Sequence, residues 1–244
     1  MTIHRLGELE YQAVEAINTL TTNLSFVGGD VKKILITSCQ PQEGKSFVSI
    51  NLMRAMANLG LRVVLVDADI RASALAGTYG IEVKMPDEEK YKGLTGYLFG
   101  RCEIDDILAQ TNIPGAHMIL SGRTVTNSLP LFNTDRLGKL LDKLASHYDV
   151  VLVDAPPVGT IIDAAKISTL CDGTLFVVQA GADSVTELKE ASYQIEKSGK
   201  PILGYVMNKF DEKKHGGRYF SRKPNYYQYG KQKKSPKRFI RFQK

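Results

Sequence analysis

The chain has 244 residues, 43% hydrophobic and 24% charged, enough to bury a full core and ordinary for a globular protein. No apolar run approaches the ~18–20 residues of a membrane span, the start MTIHRLGELEY lacks the apolar stretch of a signal peptide, and three scattered cysteines, Cys39, Cys102 and Cys171, define neither a disulfide framework nor a metal site, so a reducing cytoplasm is expected. The net charge of +6 hides an asymmetry: Lys213 to Lys244 hold twelve Lys or Arg and no acid, whereas the preceding 212 residues hold 20 basic and 26 acidic residues.

Residues 8–27 place apolar side chains near helical spacing and read as an N-terminal helix. KKILITS (32–38) is a short β-rich run, followed by QPQEGKS and by FVSINLMRAMANLG (47–60), a helix closed by Gly60. LRVVLVDAD (61–69) is continuously apolar up to its acids, as in a strand buried on both faces of a parallel sheet. Residues 82–92 are polar and read as a loop. Further buried strands are predicted at 117–120, 148–155, 173–180 and 201–208, with amphipathic helices at 133–147 and 184–199. Such alternation predicts an α/β, P-loop NTPase-type doubly wound, mainly parallel sheet with helices on both faces, spanning residues 1–212. From about 211 onward apolar periodicity is lost, so 213–244 is expected to be a mobile basic tail.

Such sheets bind ligands at the carboxyl ends of their strands, and three of these ends carry chemistry. Gly44-Lys45-Ser46 falls between a predicted strand and a predicted helix. There, backbone amides and a helix N-terminus would cradle phosphate, Lys45 would neutralise it, and Ser46 would ligate Mg²⁺. Asp67 and Asp69 are two residues apart; on extended backbone their carboxylates face the same way, which is unfavourable without a cation or a proton. VVLVDAPPVG (150–159) delivers Asp154 at a strand end that Pro156-Pro157 terminates, a Walker B arrangement. Singly, each also reads as a capped helix or an ordinary strand end. Together they indicate a site for a nucleotide with Mg²⁺.

These motifs resemble those of the bacterial tyrosine kinases (BY-kinases), in particular the CpsD/CapB group of capsular and exopolysaccharide synthesis, related to the MinD and ParA ATPases. The family's S-x-x-P-G-E-G-K-S loop is matched by Ser38 to Ser46, its D-x-D-x-R motif by Asp67 to Arg71, and its D-x-P-P motif by Asp154 to Pro157. GLTGYLFG (93–100), residues 163–181 and ILGYVMNKFD (202–211) extend the likeness. The resemblance implies ATP and Mg²⁺ as cofactors, with Pro41, Gln42, Glu43, Gly44, Lys45, Ser46 and Phe47 forming the phosphate loop and Asn208 contacting adenine. It further implies Asp67 as the base toward a tyrosine hydroxyl, and Ser46, Asp69 and Asp154 around the metal. Arg71 would steady phosphate charge or pin Asp69. Two departures stand out. Gln42 replaces the usual glycine, a restriction if φ > 0 is required there. Glu15, Asn18 and Thr21 occupy the family's E-x-x-R-x-x-R positions, so both ring-forming arginines are missing and self-association rests on a degraded motif.

Tyr219, Tyr226, Tyr227 and Tyr229 lie in the acid-free tail, and the resemblance implies that they are autophosphorylation sites. Phosphorylating all four would offset about half of the tail's charge. The implied partner is a membrane-anchored polysaccharide co-polymerase-type adaptor, which would place the kinase peripherally at the inner face of the membrane, and the tail is expected to be drawn to anionic lipid as well. A tail of bases and aromatics also suits RNA, but no nucleic acid is expected beside kinase motifs. The competing readings are a MinD/ParA-like switch ATPase, against which Gln40 stands where a signature lysine is common, and a nucleotide-binding regulator without catalysis.

Overall fold

The computed structural model describes residues 1–84, 91–182 and 184–210. In chain order its elements are β1 (Thr2–Ile3), α1 (Tyr11–Ser25), β2 (Lys33–Ser38), α2 (Lys45–Asn58), β3 (Val63–Asp67), α3 (Leu75–Tyr79), β4 (Ile81–Glu82) and α4 (Gly93–Leu98). There follow β5 (Ala109–Gln110), β6 (Ala116–Ile119), α5 (Leu129–Phe132), α6 (Arg136–His147), β7 (Val150–Asp154), α7 (Asp163–Ser168), β8 (Gly173–Gln179), α8 (Val185–Glu196) and β9 (Ile202–Asn208).

Because the predicted strands are apolar at consecutive positions, successive side chains must be buried on opposite faces. That is what the sheet shows. Val64, Val66, Val151, Val153 and Phe176 enter one core, with Leu137, Leu140 and Leu144 of α6 and Ile195 of α8. Val63, Leu65, Leu152, Leu175 and Val177 enter the other, with Leu52, Met53 and Met56 of α2 and Leu75 of α3. The strand order is β5-β6-β3-β7-β2-β8-β9, parallel except for the short edge strand β5. The chain therefore has the mainly parallel, doubly wound sheet of the P-loop type. All three cysteines are buried in the first core and none forms a disulfide. Among the described residues no helix is long and apolar enough to cross a membrane.

Several details differ from the sequence reading. The strand expected over 61–69 is shorter, ending at Asp67. The Ala68 N–H still donates across to the Asp154 carbonyl, at 2.8 Å, but the Asp69 carboxylate then accepts the Ala72 N–H and turns the chain. Asp67 and Asp69 thus do not share a strand face. Within the loop expected over 82–92, Glu82 pairs with Thr2 in a two-stranded antiparallel ribbon, and 85–90 lie outside the described residues. The short elements α3, α4, α5, β1 and β5 have no periodicity long enough to read from sequence. Thr21 of α1 is buried, its hydroxyl donated to the Ile17 carbonyl, while Glu15 and Asn18 are exposed. Residues 211–244, including all four tail tyrosines, lie outside the described residues.

Candidate active site

β2 runs into the segment Cys39–Gly44, which α2 follows directly. The N-cap of α2 is Gly44, in the left-handed region at φ +94°, and no side chain caps the helix. The amides of its first turn, which have no helical acceptor, are left for an external anion, at the positive end of the helix dipole. A β-carbon on Gly44 would lie 2.0 Å from Nδ2 of Asn208, so only glycine fits.

Gln42 also has positive φ, +65°, where its family counterpart is usually glycine; the one other described non-glycine residue with positive φ is Lys209, at +55°. The two are joined. The Lys209 ammonium donates to the Gln42 carbonyl at 2.6 Å and to Gln179 Oε1 at 3.0 Å. Beside it, Asn208 Nδ2 donates to the Glu43 carbonyl at 2.8 Å. Glu43 turns its carboxylate inward, accepting the Gln40 and Gln179 backbone amides at 2.8 and 2.9 Å, while Gln42 is exposed. Pro41 is exposed and Phe47 packs against the α2 core. The end of β9 therefore clamps two successive carbonyls of the loop. Gln42→Gly should raise stability by about 1 kcal/mol by removing the β-carbon from left-handed backbone. Lys209→Met should cost less in that background than in the wild type, which denaturation midpoints of the four proteins would register.

On the neighbouring strands, β3 and β7 pair in register so that Asp67 stands opposite Asp154. Both are almost completely buried. Asp154 accepts from the Ser46 hydroxyl at 2.7 Å through Oδ2 and from the Ser49 hydroxyl at 3.1 Å through Oδ1. Burial pushes its carboxyl up to about 6; Ser46, the Lys45 ammonium and Ser49 hold it down, and the charge of Asp69 adds to the rise. Asp67 accepts from the Ser73 hydroxyl and, at 3.4 Å, from the Ser121 N–H, both through Oδ2. Burial, and then the charge of Asp154, push it up to about 7. Its other oxygen, Oδ1, is buried with no hydrogen-bond partner among the described residues.

The structure thus gathers Lys45, Ser46, Asp67, Asp69 and Asp154 at one strand-end site. The hydrogen bonds of Arg71 run to residues other than Asp69: its Nε donates to Asp163 Oδ2 at 2.9 Å and to Ser128 Oγ at 2.8 Å, and its Nη1 to the Thr126 carbonyl. Asp163 is fully buried, so it requires this counter-charge. Sequence reasoning overlooked Asp163 and also Ser49, Ser73 and Ser121. Of these Ser49 was findable, three residues beyond Ser46 on the same helical face.

A divalent cation fits this donor set. Two apposed buried carboxylates, one with an orphaned oxygen, are relieved by a positive charge. Among the described residues no group of three or more His, Cys, Asp or Glu could hold a metal by itself. Mg²⁺ uses one or two carboxylates and takes its remaining ligands from water and nucleotide phosphates, so Ser46 and these carboxylates would suit it.

Fold and site together define a P-loop nucleotide-binding domain. The family model described as the CobQ/CobB/MinD/ParA nucleotide binding domain matches residues 34–223. The chain is 35% identical over 198 residues to the tyrosine-protein kinase CpsD of Streptococcus agalactiae, covering 81% of this chain and 84% of that protein. It superposes on the kinase domain of the Escherichia coli tyrosine kinase ETK with a TM-score of 0.73 and 28% identity, over 82% of this chain and 78% of that one. The septum site-determining protein MinD of Pyrococcus horikoshii OT3, solved with Mg-ADP, shares the fold at a TM-score of 0.60 and 22% identity, over 72% of this chain and 69% of that one. The chain belongs to the bacterial tyrosine kinases within this nucleotide-binding family.

Proposed function

We propose that the chain is an ATP-dependent protein-tyrosine kinase that phosphorylates tyrosines of its own tail, Tyr219, Tyr226, Tyr227 and Tyr229, and regulates capsular or exopolysaccharide synthesis together with a membrane-anchored adaptor. The observation that carries this reading is the gathering of Lys45, Ser46, Asp67 and Asp69 around Asp154, with Oδ1 of Asp67 left without a partner among the described residues. The first-turn amides of α2 and Lys45 bind the β- and γ-phosphates of ATP. Ser46, Asp69 and Asp154 would hold Mg²⁺, which when bound supplies the charge that offsets the triphosphate. Asp67 orients the incoming tyrosine and takes its proton; the tyrosine oxygen bonds to the γ-phosphorus as the bond to the ADP oxygen breaks. Free tyrosine, with a pKa near ~10, needs this help at neutral pH. Asn208 reaches the loop from β9 and adjoins the side on which adenine would lie.

A separate adaptor brings the kinase to the inner face of the membrane, and the basic tail adds attraction to anionic lipid of ~1 kcal/mol per Lys or Arg near the surface. Asn18 and Thr21 replace the two ring arginines, so any self-association would rest on other contacts. The test is incubation with Mg-ATP, comparing the wild type with a protein in which the four tail tyrosines are phenylalanine. Phosphotyrosine in the first and none in the second is expected. Phosphate release without phosphotyrosine in the wild type would replace the kinase with a switch ATPase, and nucleotide binding without turnover would replace it with a regulator.

A further inference from the structure

A cleft of about 1000 Å³ opens beyond the end of β6, the strand that flanks β3 on the side opposite β7. Its link to the site is Ser121, whose N–H donates to Asp67 and which is itself in the cleft wall. Three lining residues are cationic, Lys92, Arg101 and Arg123, and none of the described lining residues is acidic. Tyr91 and Phe99 supply aromatic wall, with the Arg101 guanidinium 4.9 Å from the Phe99 ring centre. Thr95, 2% exposed, contributes a buried hydroxyl with no hydrogen-bond partner among the described residues. Nothing in the phosphoryl transfer described above uses these groups. An aromatic wall, an unsatisfied hydroxyl and two guanidiniums match an aryl phosphate: a ring to pack and a dianion to accept bidentate hydrogen bonds.

We propose that this cleft is a phosphotyrosine subsite, which seats an already phosphorylated tyrosine while a neighbouring tyrosine is presented to Asp67. The inference rests on the kinase reading and deepens it. The spacing is suitable. Arg123 is two residues beyond Ser121, a span of at most ~7 Å, and tyrosines two apart on an extended peptide, such as Tyr227 and Tyr229, are separated by a similar length. Charge gives the subsite its selectivity. An unmodified tail segment is basic and is repelled by the cleft, whereas a phosphate adds about −1.5 to −2, which cancels the charge of the two lysines in residues 223–231 and sets a local dianion against the guanidiniums. Phosphorylation of the cluster is then self-reinforcing: the first event is slow and later ones are faster.

The test uses the full chain with its four tail tyrosines changed to phenylalanine, saturated with Mg-ADP so that the phosphate loop is filled. Binding is followed by fluorescence anisotropy with labelled peptides of residues 223–231, one unmodified and one phosphorylated at Tyr229. The phosphorylated peptide should bind at least tenfold more tightly, and Arg101→Gln with Arg123→Gln, both exposed positions, should reduce the ratio to near one. With Mg-ATP, the same ratio should appear in KM for transfer to Tyr227. Inorganic phosphate separates the sources: weak competition supports recognition of the whole aryl phosphate, and competition at the peptide's own affinity overturns it in favour of a plain anion site. Equal binding of both peptides, or a preference that survives the double substitution, also overturns the proposal. If no peptide is phosphorylated while the binding preference holds, the kinase reading fails and the subsite stands.

Discussion

Asp67→Asn should lower tail phosphorylation by about 10²–10⁴-fold while leaving the protein at least as stable as the wild type, because the two effects come from the same burial. The asparagine keeps the shape that meets Ser73 and the Ser121 N–H but cannot take a proton from tyrosine. It also removes a charge that is 1% exposed and opposite a second carboxylate. Stability should therefore depend on pH with a defined sign. Asp67 titrates near 3.8 when unfolded and near about 7 when folded, so between those values the folded chain holds more protons than the unfolded one. Asp154, raised from 3.8 to about 6, acts in the same direction. On these two groups stability falls as pH rises from about 4 to 7 and is level above that. The Asp67→Asn protein should lose less between pH 5 and pH 8 than the wild type does. His117, whose burial lowers its pKa, acts in the opposite sense in both proteins and cancels in their difference, which reports Asp67 together with its coupling to Asp154. Thermal midpoints at the two pH values, beside phosphotyrosine yield, measure both effects. Full yield from the Asp67→Asn protein would remove Asp67 from the mechanism.

Lys45→Met should reduce turnover by about 10²–10³-fold, the usual effect of deleting one preorganised charge donor. Lys45 begins α2 with only 8% of its surface exposed, and its charge holds down the pKa of Asp154. Its loss removes a cation from the phosphates and lets the Asp154 carboxyl rise further, weakening a metal ligand as well. Binding reports this without catalysis. Mg-ADP at 100 times its Kd should stabilise the wild type by ~2.7 kcal/mol, and at the same concentration should stabilise the variant far less. Equal nucleotide-induced stabilisation of the two proteins would mean that the phosphates bind elsewhere.

Much of this site was legible in the sequence because its parts are local. A strand buried on both faces must be apolar at consecutive positions, and its end is marked by the first acid, so Asp67 and Asp154 were identifiable before their surroundings were known. The glycine-lysine-serine turn likewise declares itself by its place between strand and helix. The requirement for positive φ at position 42 was foreseen only as a condition; the backbone meets it, with Gln42 held there by Lys209, 167 residues further along. The ion-pair partner of Arg71 was missed for the same kind of reason. Its partner Asp163 is 92 residues away and reaches it only because α7 packs on the same face of the sheet.

By itself, then, the sequence determined what depends on neighbours along the chain: the strands and main helices, the phosphate loop, the identity of the acids and the family. The tertiary structure decided what depends on strand order. Placing β7 between β3 and β2 sets Asp154 against Asp67 on one side and brings it within reach of Ser46 and Ser49, over 100 residues distant, on the other. Burial pattern specifies that a strand is inside, whereas the choice of its neighbours emerges from packing all the strands and helices at once.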